Sequence, residues 1–171
     1  SRASYLQFAS LLPKALDKAD VVVCVSQWSK ETLLERFPRL EAKVVYIPNG
    51  IDNTKNKRVP VKKDKPLKTR LSLLLVGRYE KYKRFDLVLK LLDKSPSIFN
   101  FTVVTDSKGT LFFQKKARAH IANKRLQLYS CLNDSQLESV YRMSDIYVQT
   151  SLFEGFCLPA AEALRFGLPV V

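Results

Sequence analysis

SDIYVQTSLFEGFCLPAAEALRFGLPVV, Ser144–Val171, is the stretch on which the fold reading turns. It reads as a strand over Ile146–Gln149, a loop carrying Glu154 and Gly155, a helix opening near Pro159, and a further strand starting at Pro169. Proline suits the first turn of a helix because its missing N–H is not needed there. Strand, helix and strand in one short run predict parallel pairing through a crossover.

The rest of the chain repeats this alternation. Helix is expected over Tyr5–Ala19, strand over Val21–Val25, helix over Ser29–Phe37 and strand over Lys43–Ile47, closed by the turn Pro48-Asn49-Gly50. From Ile51 to Arg70 the apolar pattern fades into Lys, Asn, Pro and Asp, as in a linker between domains. Strands then recur at Leu71–Val76, Phe101–Thr105 and Leu126–Tyr129. Helices are expected at Phe85–Leu92, with Leu87, Val88, Leu91 and Leu92 on one face, at Thr110–Ala122, and at Ser135–Met143 behind an Asn133 or Asp134 cap. The expectation is an α/β protein with Rossmann-like, doubly wound parallel sheets, divided into residues 1–52, a basic linker 53–70, and a second domain 71–171.

Composition narrows the functional classes. With 171 residues, 46% of them hydrophobic, the chain has enough apolar surface for one domain or one and a half. It opens on Ser and its last strand stops as it begins, so a fragment is expected. No apolar run approaches the ~18 residues of a membrane span. Cys24, Cys131 and Cys157 lack metal-ligand spacing, and Cys24 and Cys131 lie in or beside apolar strands, so buried reduced thiols in a cytoplasmic protein are expected. The net charge of +13 concentrates in Lys55–Arg70 and recurs at Lys115, Lys116, Arg118, Lys124 and Arg125. Such a surface suits anionic lipid, nucleic acid or a phosphorylated small molecule. No nucleic-acid motif accompanies it, so nucleic acid is not expected.

In doubly wound sheets ligands bind outside the carboxyl ends of the strands, and three such ends carry chemistry. After Leu71–Val76, the loop GRYEKYK (Gly77–Lys83) holds Arg78 and Lys83, a bidentate fork and a mobile point charge that together suit a diphosphate. After Leu126–Tyr129 comes Ser130-Cys131-Leu132-Asn133, whose backbone could pair with a base edge. The third end holds Glu154 and, eight positions on, Glu162. Amides of Gly155, Phe156 and Cys157 at a helix N-terminus could meet an anion or a sugar hydroxyl, and Glu162 could accept both hydroxyls of a diol. Taken singly, each carboxylate also fits a solvated surface charge. Ala160, Ala161, Ala163 and Leu164 make the helix apolar, however, so Glu162 is expected among buried neighbours with a partner of its own.

The segments IPNGID (Ile47–Asp52), VGRYEKYKRFDLVLKLL (Val76–Leu92), LNDSQLESVYRMSDIYVQTS (Leu132–Ser151) and EGFCLPAAEALRFGLPVV (Glu154–Val171), in that order, resemble landmarks of the retaining glycosyltransferases of family 4, or group 1, which have the two-domain GT-B fold. ADVVVCVSQWSKETL (Ala19–Leu33) is similar to the last part of that family's N-terminal domain. The resemblance implies that residues 71–171 belong to the donor-binding domain and that a sugar moves from a nucleotide diphosphate to an acceptor hydroxyl with retention and without metal. It implies catalytic roles for Arg78 and Lys83 on the diphosphate and for Glu154 facing the transferred sugar. Glu162 would hold the ribose, and Gly77, Gly155, Phe156, Cys157 and Leu158 would complete the donor site, with the base near Cys131 and Leu132.

No cofactor is implied beyond the donor, a UDP-, GDP- or ADP-sugar. The implied acceptor is a glycan or a lipid-linked molecule, reached from the cytoplasm with an anionic membrane surface as a candidate partner. The sequence also departs from the family pattern. Thr105–Gly109 (TDSKG) replaces a glycine-rich turn, Cys157 stands where glycine is common, and the sole histidine, His120, matches nothing and is expected on a surface helix. A disaccharide phosphorylase or synthase, and an inactive relative that binds an anionic partner, are the competing readings.

Overall fold

The computed structural model describes residues 2–51 and 70–171; the basic linker expected at 53–70 and the Lys-rich run within it lie almost wholly outside the described residues. The chain divides into two compact units, Ser1–Gly50 and Ile51–Val171.

In the first unit, α1 (Arg2–Lys18) leads to β1 (Val22–Cys24), α2 (Gln27–Arg36), a 3-10 helix (Pro38–Lys43) and β2 (Val44–Tyr46). β1 and β2 pair in parallel, Val22 opposite Val44 and Cys24 opposite Tyr46. Ser26 caps α2 by accepting from the Ser29 amide. Leu16, Cys24, Phe37, Leu40 and Val44 form the core. Lys43 Nζ donates to the carbonyls of Asp17 and Ala19 at 2.9 Å each, satisfying acceptors left open where α1 ends.

The second unit is a four-stranded parallel sheet in the order β5-β4-β3-β6, built from β3 (Leu71–Val76), β4 (Phe99–Val104), β5 (Leu126–Tyr129) and β6 (Ile146–Tyr147). A parallel bridge from Tyr147 to Val170 carries the pairing one step past β6. On one face, α3 (Phe85–Lys94), α4 (Ser107–Lys116) and α5 (Arg118–Ala122) pack Phe85, Val88, Leu92, Phe113 and Ala117 onto Leu75, Phe101, Val103 and Leu126. On the other, α6 (Asp134–Met143) and α7 (Leu158–Arg165) pack Val140, Tyr141, Ala163 and Phe166 onto Leu74, Val104 and Tyr147. Helices on both faces make the sheet doubly wound. The strand order reverses between β3 and β6, and a crevice at such a reversal is where ligands bind.

Several local expectations are corrected. The face of α3 turned to the core is Phe85, Val88 and Leu92, and Leu91 is exposed. The expected helix Thr110–Ala122 is two helices, broken at Ala117, where φ −126° and ψ 29° leave the helical region. β6 is shorter than the expected Ile146–Gln149: its ladder with β3 stops at Tyr147 opposite Leu74, although β3 runs on to Val76, and the Gln149 amide turns to the Val171 carbonyl instead. Asn133 is the cap of α6, in a reciprocal capping box with Gln136.

Candidate active site

The loops after β3 and β6 are joined along their length. The Leu152 amide donates to the Tyr82 carbonyl at 2.8 Å, Thr150 Oγ1 donates to the Lys83 carbonyl at 2.6 Å, and the Tyr82 and Phe153 rings stack at 4.8 Å between centroids. Lys83 belongs to a 3-10 helix, Lys81–Lys83, and its side chain passes over the Gly77 backbone, where a Cβ would stand 3.9 Å from Nζ. Its ammonium meets Glu154 Oε1 at 2.5 Å, with the two side chains only 14% and 21% exposed. A pair so shielded keeps more of its Coulomb attraction than one on the open surface.

Glu154 Oε1 accepts a second bond, from Gln149 Nε2 at 2.9 Å. Gln149 Nε2 also donates to Ser151 Oγ at 2.8 Å, and its Oε1 accepts from the hydroxyl of the fully buried Tyr147 at 2.8 Å. Burial pulls the Glu154 pKa up, but the bonds from Lys83, Ser151 and Gln149 outweigh it and the carboxyl ends below its ordinary value. Glu154 is therefore an anion and acceptor across the neutral range. Burial also raises the Tyr147 hydroxyl far above the phenol range, so it stays a donor.

Glu162 stands on α7 and accepts from the Tyr141 hydroxyl at 2.7 Å. That ring is buried, stacked on Phe166 at 5.2 Å, and its hydroxyl titrates well above the ordinary range, first through burial and then through the adjacent Glu162. The partner expected for Glu162 is thus Tyr141. The helix around it is less buried than the sequence implied: Ala163 is fully enclosed, but Leu164 is 63% exposed.

Cys157 caps α7 in the left-handed region, φ 60° and ψ 66°, where glycine is the comfortable residue. Its thiol is pushed up in pKa, chiefly by burial, which makes it a poor nucleophile. Cys131, at φ 54°, also takes a left-handed turn and is exposed, correcting the expectation of a buried thiol; Cys24 is buried. Leu132 packs against the core beneath α6. Arg78 is exposed and makes no ion pair with any described residue, so the fold brings Lys83 and Glu154 into contact and leaves the arginine fork open. Gly155 and Leu158 are exposed and Phe156 half-buried along the same loop. His120, on α5, is half-buried with Nε2 2.8 Å from Asp93, away from these loops in sequence and held by its own pair.

No group of three or more His, Cys, Asp or Glu capable of holding a metal occurs among the described residues, and no described helix is long and apolar enough to cross a membrane. Gln149, Tyr147 and Tyr141 are the site residues that sequence reasoning passed over. Tyr141 had a signal: with Leu137 and Val140 it falls on the apolar face of α6, yet carries a hydroxyl that needs a partner.

The chain is 29% identical over 167 residues to the GPI3 subunit of phosphatidylinositol N-acetylglucosaminyltransferase from Saccharomyces cerevisiae, which covers 94% of this chain and 37% of that protein. The chain therefore spans little more than a third of that curated relative's length. Among solved structures, the HepE protein of Anabaena, in complex with UDP and glucose, superposes with TM-score 0.72 at 18% identity, over 95% of this chain and 47% of that one. The pneumococcal O-GlcNAc transferase GtfA, in complex with UDP and GlcNAc, gives 0.62 at 25% identity, over 90% of this chain and 30% of that one. The glycosyltransferase family 4 model matches residues 2–55 and the group 1 glycosyl transferase model matches residues 56–171, two consecutive parts of one GT-B architecture: the chain belongs to the family 4, or group 1, glycosyltransferases.

Proposed function

We propose that the protein carrying this chain transfers a hexose from a nucleotide diphosphate sugar to an acceptor hydroxyl, with retention at the anomeric carbon and without a metal. The observation that carries the reading is the shielded Lys83–Glu154 pair, set where the strand order reverses between β3 and β6. An ammonium has three N–H donors, so with one on Glu154 two remain for diphosphate oxygens. Arg78, exposed one residue past Gly77, supplies a second cation. Fixed cations at the leaving diphosphate lower the barrier as negative charge builds there, which is work a divalent ion would otherwise do.

Glu154, ionised and held by Lys83 and Gln149, accepts from hydroxyls of the transferred sugar. Glu162 accepts from the ribose, with Tyr141 fixing the carboxylate. The amides at Gly155–Cys157 and the start of α7 receive phosphate or sugar oxygens, Gly77 and Leu158 line the same mouth, and the base lies near Cys131 and Leu132.

UDP-N-acetylglucosamine is the first donor to test among UDP-, GDP- and ADP-sugars, because the yeast relative is named for N-acetylglucosaminyl transfer and the pneumococcal structure holds UDP and GlcNAc. A lipid-linked or glycan acceptor, met at the cytoplasmic face of an anionic membrane, fits the charge of +13. In the intact protein, calorimetric titration with each donor in EDTA should show binding of one class. Arg78→Ala should lower UDP release from its sugar donor by about a hundredfold to a thousandfold. Turnover near normal in that variant would overturn the assignment.

A further inference from the structure

A glutamine amide has two unlike ends. Turned one way it gives a neighbouring carboxylate a donor; turned the other, it sets a carbonyl oxygen against an anion. At Gln149 the surroundings choose. The Tyr147 hydroxyl lies 2.8 Å from Oε1, and this tyrosine is fully buried in the core under α7, so the hydroxyl has a fixed place from which to donate. Ser151 Oγ takes one hydrogen of Nε2 at 2.8 Å, and the other points to Glu154 Oε1 at 2.9 Å. The Gln149 backbone is anchored as well, its amide donating to the Val171 carbonyl at 2.7 Å.

We propose that Gln149 is a positioning residue for Glu154, oriented by Tyr147, and that donor turnover depends on its hold on the carboxylate beside Lys83. A lysine on a flexible stem fixes a carboxylate's distance but hardly its direction, because a point charge imposes little angular preference. The glutamine adds direction: its planar amide, fixed at both ends, sets the line along which Glu154 Oε1 is held, beside a second side-chain bond from Ser151. The core thereby aims the carboxylate, through a hydroxyl and an amide, from beneath the sheet. This rests on the assignment of Glu154 to the transferred sugar. The other ionisable groups acting on Glu154 are Lys83 from the 3-10 helix, Tyr147 from β6 and Cys157 from the cap of α7. Of these only Lys83 is cationic, and the neutral donors Ser151 and Gln149 are the other contacts that keep the carboxyl ionised.

The test uses the intact protein with Gln149→Met, Tyr147→Phe, their double variant and Glu154→Gln. UDP release from UDP-N-acetylglucosamine is followed against pH, and the Glu154 carboxyl carbon is titrated by NMR in glutamate-labelled protein. Methionine matches glutamine in length without the amide. Gln149→Met should lower kcat by about tenfold, the effect of one hydrogen bond to a charged group. It should also move the Glu154 titration and the acid limb of the rate profile to higher pH. Tyr147→Phe should do the same to a smaller extent, and the double variant should be no worse than Gln149→Met alone, because both act through one amide.

An unmoved Glu154 titration in both single variants overturns the proposal, as does strict additivity in the double. If Gln149→Met does not fold, Tyr147→Phe decides by the same titration. Full turnover in Glu154→Gln overturns the donor assignment instead, while the titration still reports whether Gln149 holds the carboxylate.

Discussion

Gly109 stands in the first turn of α4, and a Cβ built there would lie 2.3 Å from Thr105 Oγ1, 2.8 Å from Cγ2 and 3.0 Å from Cβ. Neither side can give way freely. The Thr105 amide is tied to the Tyr129 carbonyl at 2.9 Å, and the Gly109 amide is tied to Asp106 Oδ1 at 2.9 Å. Threonine is also stiff about χ1. Replacing Gly109 by alanine gains helix propensity of about 1 kcal/mol at most. Forcing a methyl into a packed contact costs about 1–3 kcal/mol. The contact is well inside van der Waals distance at three atoms, so the upper half of that range applies and the net loss is about 1–2 kcal/mol.

Thermal unfolding followed by circular dichroism should show this as a fall in Tm of roughly 5 °C. The decisive measurement is the cycle with Thr105→Ala. That change removes Oγ1 and Cγ2, and because Oγ1 is buried without a hydrogen-bond partner its loss leaves no acceptor stranded. In that background Gly109→Ala should be neutral or stabilising. Equal cost in both backgrounds, or stabilisation by the single change, would refute the steric account.

Four further outcomes are expected. Cys157→Gly should stabilise the protein by about 1 kcal/mol in thermal or urea unfolding, because a left-handed residue with a side chain costs about 1–2 kcal/mol and glycine gives back part of that as unfolded-chain entropy. Arg125 donates to the carbonyls of Leu92, in the last turn of α3, at 2.9 Å and of Ser95, just past its end, at 3.1 Å, so Arg125→Ala should lower urea stability by about 2 kcal/mol, and lysine, lacking the fork, should restore only part. Tyr141→Phe should weaken UDP binding about tenfold by calorimetry while leaving Tm nearly unchanged, since the stacked ring stays and only the hydroxyl on Glu162 goes. Finally, Glu154 has a depressed native pKa, so its contribution to stability is present above the unfolded carboxylate value of about 4.3 and is lost as pH falls through the lower native one. Glu154→Gln should therefore flatten that part of the acid-unfolding curve.

The alternation of elements was readable because parallel strands buried on both faces are continuous apolar runs such as Leu71–Val76, which no surface loop would carry. Arg78, Lys83, Glu154 and Glu162 were legible because strand ends are where such sheets bind ligands, so charge there has a reason that charge elsewhere lacks. What lies between these residues was not. The Lys83–Glu154 contact joins positions 71 apart, and nothing local to either residue announces it. Gln149 looked like the end of a strand, and its meaning depends on a tyrosine two positions away turned under the sheet. The exposure of Leu164 and Cys131 was misjudged for the related reason that apolar composition gives a tendency to burial while backbone direction decides it. At Cys131 and Cys157 that direction is set by left-handed turns, which the residue type does not signal.

The joined loops after β3 and β6 bear on when disorder is lost. A free lysine side chain gives up about 1.5–2 kcal/mol of rotamer entropy when it is fixed. Here Lys83 is already fixed, with its carbonyl bound by Thr150, the neighbouring Tyr82 stacked on Phe153, and its ammonium on Glu154. That loss falls on folding, when the sheet and its core can offset it, and an arriving anion meets a cation whose conformational freedom is already spent.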